Sequence, residues 1–73
     1  MSDVRKYSVS INGHRTSVSL EPEFWAVFRR LCDDAGNSYA VTVAAIDRDR
    51  DGNLSSAIRL WILDQLVGER PNV

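Results

Sequence analysis

His14-Arg15-Thr16-Ser17-Val18-Ser19-Leu20-Glu21-Pro22-Glu23-Phe24-Trp25 reads as a strand that runs directly into a helix. Side chains alternate across a strand, so Thr16, Val18 and Leu20 share one face and Arg15, Ser17 and Ser19 the other. Pro22 suits a first helical position, where its missing N–H costs nothing. The residues just before repeat the pattern: Tyr7, Val9 and Ile11 alternate with Lys6, Ser8 and Ser10. Asn12-Gly13 stands between the two runs and predicts a two-residue hairpin turn, because both central positions of that turn need positive φ. Such a loop pairs Ile11 with His14, Val9 with Thr16, Tyr7 with Val18 and Arg5 with Leu20. It also sets Ser10 against Arg15, Ser8 against Ser17 and Lys6 against Ser19. One face is then apolar and the other holds only Lys, Arg and Ser; a slip of one residue would destroy that separation.

Beyond the hairpin, Phe24, Val27, Phe28, Leu31 and Ala35 recur at helical spacing, extended by Trp25 and Cys32, and predict a helix over 22–35. Gly36 is a natural stop, and Asn37 or Ser38 can cap a second helix to about Arg48. Tyr39, Val41, Val43 and Ile46 make that helix more β-branched and aromatic than propensity favours, so tertiary packing has to hold it. A polar stretch, 47–53, breaks the chain. A last helix over 54–67 carries Leu54, Ile58, Trp61, Ile62 and Leu66 on one face and Leu60, Leu63 and Val67 on a neighbouring one. A helix apolar on two faces is covered on two sides.

The chain has 73 residues, enough for one domain over 1–73, with loose ends expected at 1–4 and 69–73. A domain of this size buries only about 60% of its unfolded surface. Yet 44% of its residues are hydrophobic and Cys32 is its one cysteine, so no disulfide framework supports it. Small, apolar and unstapled together predict a core shared with a second copy, hence a homodimer or larger homo-oligomer. The lone cysteine fits a reducing compartment, and a cytoplasmic location is expected, since no apolar run would span a membrane and the polar start is no signal peptide. The net charge is −1. Residues 1–20 hold Arg5, Lys6 and Arg15 against Asp3, whereas 21–73 hold six arginines against nine acids, so the basic surplus coincides with the strands.

The join Arg15-Thr16-Ser17-Val18-Ser19-Leu20-Glu21-Pro22-Glu23-Phe24 resembles the start of ribbon-helix-helix DNA-binding proteins. Asn12-Gly-His-Arg-Thr-Ser-Val-Ser-Leu-Glu-Pro-Glu-Phe-Trp25 together with Asn53-Leu-Ser-Ser-Ala-Ile-Arg59 is similar to a branch of small bacterial proteins of that kind, over roughly residues 6 to 67. The resemblance implies an α+β, intertwined homodimer, here with an N-terminal hairpin and three short helices per chain. It implies that two strands pair antiparallel and enter the major groove of double-stranded DNA, with base contacts from Arg15, Ser17 and Ser19. It also implies a phosphate contact at the start of the helix after the first interhelix turn, which falls on Asn37 and Ser38. Two features depart from the pattern. The chain has two helices after Gly36 where one is usual, so the family's second helix could instead start near Asn53-Leu54-Ser55-Ser56. Asp47, Asp49 and Asp51 beside that start would repel phosphate, which favours Ser38. Two paired hairpins also make four strands about 14 Å across at about 4.8 Å spacing, against a major groove about 12 Å wide.

On the residues themselves, Arg15 can donate two hydrogen bonds to guanine, Ser17 and Ser19 suit several base edges, and Arg5 and Lys6 suit phosphates. The plain alternative is a solvated sheet face. Tyr7 and the two tryptophans fit core packing better than base stacking. Asp47-Arg-Asp49-Arg-Asp51-Gly52-Asn53-Leu54 follows a calcium-loop spacing, but position twelve is Ile58 instead of a bidentate Glu, and a polar interhelix loop with Asn53 or Ser55 as the next cap is the better reading. His14 stands alone, so no metal site is expected. Cys32 lacks an activating neighbour, no triad or phosphate loop occurs, and neither a cofactor nor a small-molecule substrate is indicated. The sequence thus predicts a transcriptional regulator that binds DNA as a homodimer; the alternative is a protein-interaction or dimerisation module on the same scaffold without DNA binding.

Overall fold

The structure is a computed structural model and describes residues 3–50 and 52–68. The expected loose ends at 1–2 and 69–73 lie outside the described residues. Two strands, β1 (Arg5–Ile11) and β2 (His14–Leu20), form an antiparallel hairpin, followed by α1 (Pro22–Asp34), α2 (Tyr39–Asp49) and α3 (Leu54–Gly68). The hairpin register is the one predicted, from Ile11 opposite His14 to Arg5 opposite Leu20. Asn12 and Gly13 both take positive φ, 51° and 82°, as a type I′ turn requires.

Both ends of α1 and the starts of α2 and α3 have local causes. Pro22 opens α1. At its end Gly36 adopts φ 76°; its N–H donates to the Asp33 carbonyl and that of Asn37 to the Cys32 carbonyl, each at 3.0 Å. These are the paired bonds of a Schellman stop. Ser38, not Asn37, caps α2, its Oγ accepting the Val41 N–H at 3.2 Å. Asn53, not Ser55, caps α3, its Oδ1 accepting the Ser56 N–H at 3.0 Å.

The apolar face of the hairpin closes over the helices, with α2 against β1 and α3 against β2. Val9, Ile11, Val18 and Leu20 from the strands meet Phe28, Leu31, Cys32, Val43, Ile46, Ile58 and Ile62 from the helices. Packing does hold α2 despite its branched residues: Thr42, Val43 and Ile46 are buried, and the Thr42 hydroxyl donates to the Ser38 carbonyl at 3.3 Å. Tyr7 stacks on Trp25 with ring centroids 4.3 Å apart, and Trp25 meets the edge of Tyr39 at 5.6 Å. These rings therefore tie β1, α1 and α2 together. Cys32 is 1% exposed, and burial pushes its thiol pKa up, against a smaller opposing effect of the Thr42 hydroxyl. Reaction of Cys32 with a thiol reagent should accordingly follow the rate of unfolding, and fast reaction of the folded protein would contradict this packing.

The helix predicted to be apolar on two faces is covered on only one within the chain. Ile58 and Ile62 are buried, whereas Leu60, Leu63 and Val67 are 63%, 57% and 55% exposed. Among the described residues no helix is long and apolar enough to cross a membrane.

Candidate nucleic-acid interface

Because the core lies wholly on one side of the hairpin, the other side is left open. Lys6, Ser8 and Ser10 of β1 and Arg15 and Ser17 of β2 are exposed, and Ser19 is half-buried. Their cross-strand pairing sets Ser10 beside Arg15, Ser8 beside Ser17 and Lys6 beside Ser19. Two cations and four hydroxyls thus share one surface, with no acid on it.

Arg5 is exposed but shares the strand face of Tyr7 and Val9, so it reaches past the start of the sheet and does not join this surface. Asn37 and Ser38 are exposed at the α1–α2 junction. They connect to the sheet through the Tyr39–Trp25–Tyr7 ring contacts, on its apolar side. The structure brings Arg15, Ser17, Ser19 and Lys6 together and leaves Arg5, Asn37 and Ser38 apart from them.

Two residues of α3 that sequence reasoning did not connect with the strands hold the end of β2. The Ser19 N–H donates to Ser55 Oγ at 2.8 Å, and Arg59 Nη2 donates to the Ser19 carbonyl at 3.3 Å. Arg59 also binds the Glu21 carboxylate through Nε at 3.2 Å and Nη2 at 2.9 Å, and its guanidinium lies 5.7 Å from the Phe24 ring. Ser55 and Arg59 are four residues apart, hence on one helix face. Their presence in Asn53-Leu-Ser-Ser-Ala-Ile-Arg59 was the signal that could have found them. Glu21's own backbone hydrogen bond and then Arg59 hold its carboxyl below the ordinary value of 4.5, against a smaller desolvation effect. A carboxylate with a lowered folded pKa adds stability that is fully present above the ordinary value and lost as pH falls through the folded one. Thermal melts of Glu21→Gln and the parent chain should therefore differ at pH 7 and converge in acid; a constant gap would exclude the contribution.

Asp51 lies outside the described residues, and among those described the acidic stretch does not gather into a cation site. Asp47 and Asp49 belong to α2, where successive side chains diverge around the axis, and Asp47 Oδ1 is taken by Arg50 Nε at 2.7 Å. Among the described residues no three His, Cys, Asp or Glu side chains are grouped to hold a metal. An open groove of about 490 Å³ lies between α2 and α3, with Asp49 and Asp64 on its walls but no histidine or cysteine.

The ribbon-helix-helix domain family matches residues 4–66, nearly the whole described chain. The chain belongs to that family. The strand-to-helix join that carried the resemblance is β2 running into α1, and the α+β order of strands then helices agrees with the expected class. No curated protein and no solved structure matches the chain. Ribbon-helix-helix domains commonly bind DNA as regulators and generally dimerise, which gives the uncovered polar face of this hairpin its context.

Proposed function

We propose that this protein is a DNA-binding transcriptional regulator, cytoplasmic and without enzymatic activity, that acts as a homodimer through paired β2 strands. Arg15, Ser17 and Ser19 contact bases in the major groove, and Arg5, Lys6, Asn37 and Ser38 contact phosphates. A dimer seated on a promoter in this way acts as a repressor by exclusion. The observation that carries the reading is the segregation of the hairpin: a core-facing apolar side, and an open side where Arg15 and Lys6 stand among exposed serines. The exposed Leu60, Leu63 and Val67 on α3 supply an apolar surface of the kind a second copy would cover.

Anisotropy titration of labelled duplex fragments at several salt concentrations tests it. Each phosphate neutralised contributes a slope of about −0.9 in log K against log salt. Contacts by Arg5 and Lys6 of both copies therefore predict a slope of about −3.6. Undetectable or salt-independent binding would overturn the proposal. The second reading, a protein-interaction module without DNA, is favoured by the same exposed α3 face and by the width of a four-stranded sheet. Capture of a protein partner with no nucleic acid co-purifying would select it.

A further inference from the structure

We propose that the groove between α2 and α3 binds a linear aliphatic diamine or polyamine, with one ammonium at Asp49, another at Asp64 and the alkyl chain along the apolar floor between them. The site is separate from the strand face assigned to DNA, because no strand residue lines it. The proposal does not rest on DNA binding.

The groove follows from how the two helices are joined. α2 ends at Asp49 and α3 begins at Leu54, a connection short enough to lay the helices antiparallel. On α3, Ser56, Ala57, Leu60, Trp61 and Asp64 recur at three- and four-residue spacing and form one stripe. On α2, Ala45, Ile46 and Asp49 line the facing wall. The volume of about 490 Å³ lies within the range of about 300–1,000 Å³ that small-molecule sites occupy. The core fixes the floor: Ile46 is buried, Ala57 and Trp61 are half-buried, and the Trp61 ring stands edge-on to Phe28 at 5.4 Å. Exposed Leu60 forms an apolar rim.

Charge selects the ligand. Arg50 is the one cation lining the groove, and its guanidinium is committed elsewhere: Nε donates to Asp47 Oδ1 at 2.7 Å and Nη1 donates to the Gly52 carbonyl. Asp49 meets only Arg48, at 4.0 Å with both side chains solvated. Among the described residues Asp64 has no ionic partner. The carboxyl end of α2 and the amino end of α3 meet at the connection, so their dipoles offset each other and the carboxylates set the sign. Those carboxylates stand at opposite ends of the floor. Asp49 is the last residue of α2, beside the first turn of α3, whereas Asp64 is ten residues beyond Leu54, about 15 Å along the helix. One ammonium cannot meet both. An extended chain of about eight carbons with an amine at each end can, forming an ion pair at either end while its methylenes cover Ile46, Ala57 and Trp61. A second copy of the chain would instead bring the same two carboxylates into a groove that is already acidic, which is unfavourable.

Amide chemical shifts of the labelled protein, titrated in parallel with diaminooctane, octylamine and octanediol, test the proposal. Ionic strength is held constant with sodium chloride, so that general screening is the same in each series. Diaminooctane should shift Ala45, Ser56 and Leu60 and the Trp61 indole N–H saturably, whereas octanediol should not saturate. An exposed ion pair contributes about twofold to fivefold in affinity. Diaminooctane should therefore bind tighter than octylamine by about that factor, and Asp49→Asn and Asp64→Asn should each remove it. Both residues are exposed, so both variants should melt as the parent does. Equal binding of diamine and monoamine, indifference to both substitutions, shifts that never saturate, or no shifts at all would each overturn the proposal. Shifts of the same amides on dilution of the protein, without response to diaminooctane, would give the groove to a second copy and overturn it as well.

Discussion

Phe28→Ala should destabilise the protein by about 3–5 kcal/mol, the range for truncating a buried aromatic residue. Phe28 is fully buried. Its ring centroid lies 5.8 Å from that of Trp25 and 5.4 Å from that of Trp61, the latter edge-on at 75°. It therefore joins α1 to α3 at the centre of the only core cluster found among the described residues. Domains are stable by about 5–15 kcal/mol in total, and one this small buries a modest share of its surface, so the loss is a large part of what holds it. Urea unfolding followed by tryptophan fluorescence should show a midpoint well below that of the parent chain. Because a dimer couples folding to association, both midpoints should rise with protein concentration. A loss under about 1 kcal/mol would mean that Phe28 is not where the packing energy resides.

Arg15→Ala should weaken specific DNA binding between about thirtyfold and about twenty-thousandfold. Arg15 is exposed on the polar side of β2, with Ser10 opposite, so its loss leaves the core intact and the melting temperature nearly unchanged. A bidentate contact from arginine to guanine contributes about 1–3 kcal/mol of discrimination. A symmetric dimer loses it twice, and each 1.4 kcal/mol is about tenfold in affinity. Specific binding should fall towards the non-specific level while the salt slope stays near that of the parent, since the phosphate contacts remain. Lys6→Ala should do the reverse, weakening all sequences alike and flattening the slope. If Arg15→Ala binds its site as the parent does, the base-reading role assigned to β2 fails.

The hairpin was legible because three independent signals agree on it. Asn12-Gly13 demands positive φ, both strands alternate, and a single register separates the apolar residues from the polar ones; the structure has that register throughout. The helices were legible from their stops and caps, Pro22, Gly36, Ser38 and Asn53, which act within one turn of chain. What the sequence could not yield is contact between distant segments. Ser19 and Ser55 are 36 residues apart and Glu21 and Arg59 are 38 apart, and no periodicity encodes which helix face meets a strand end. For the same reason Ser19 read as one of three equivalent outward residues, although its backbone is held by α3 and its side chain is half-buried. Arg5 was grouped with Lys6 by charge, but strand alternation places the two on opposite faces. The apolar residues of α3 showed how much surface needs cover, and the folded chain shows which part it covers itself: Ile58 and Ile62 inside, Leu60, Leu63 and Val67 outside.

Amide chemical-shift mapping of the labelled protein, titrated with a duplex that it retains, tests most directly whether DNA lies on the open side of the strands. The predicted result is a set of shifts concentrated at Lys6, Ser8, Ser10, Arg15, Ser17 and Ser19, with smaller ones at Arg5, Asn37 and Ser38, and Ala45 and Leu60 in the α2–α3 groove unmoved. Shifts confined to the helices, with the β2 amides unchanged at saturation, would contradict it.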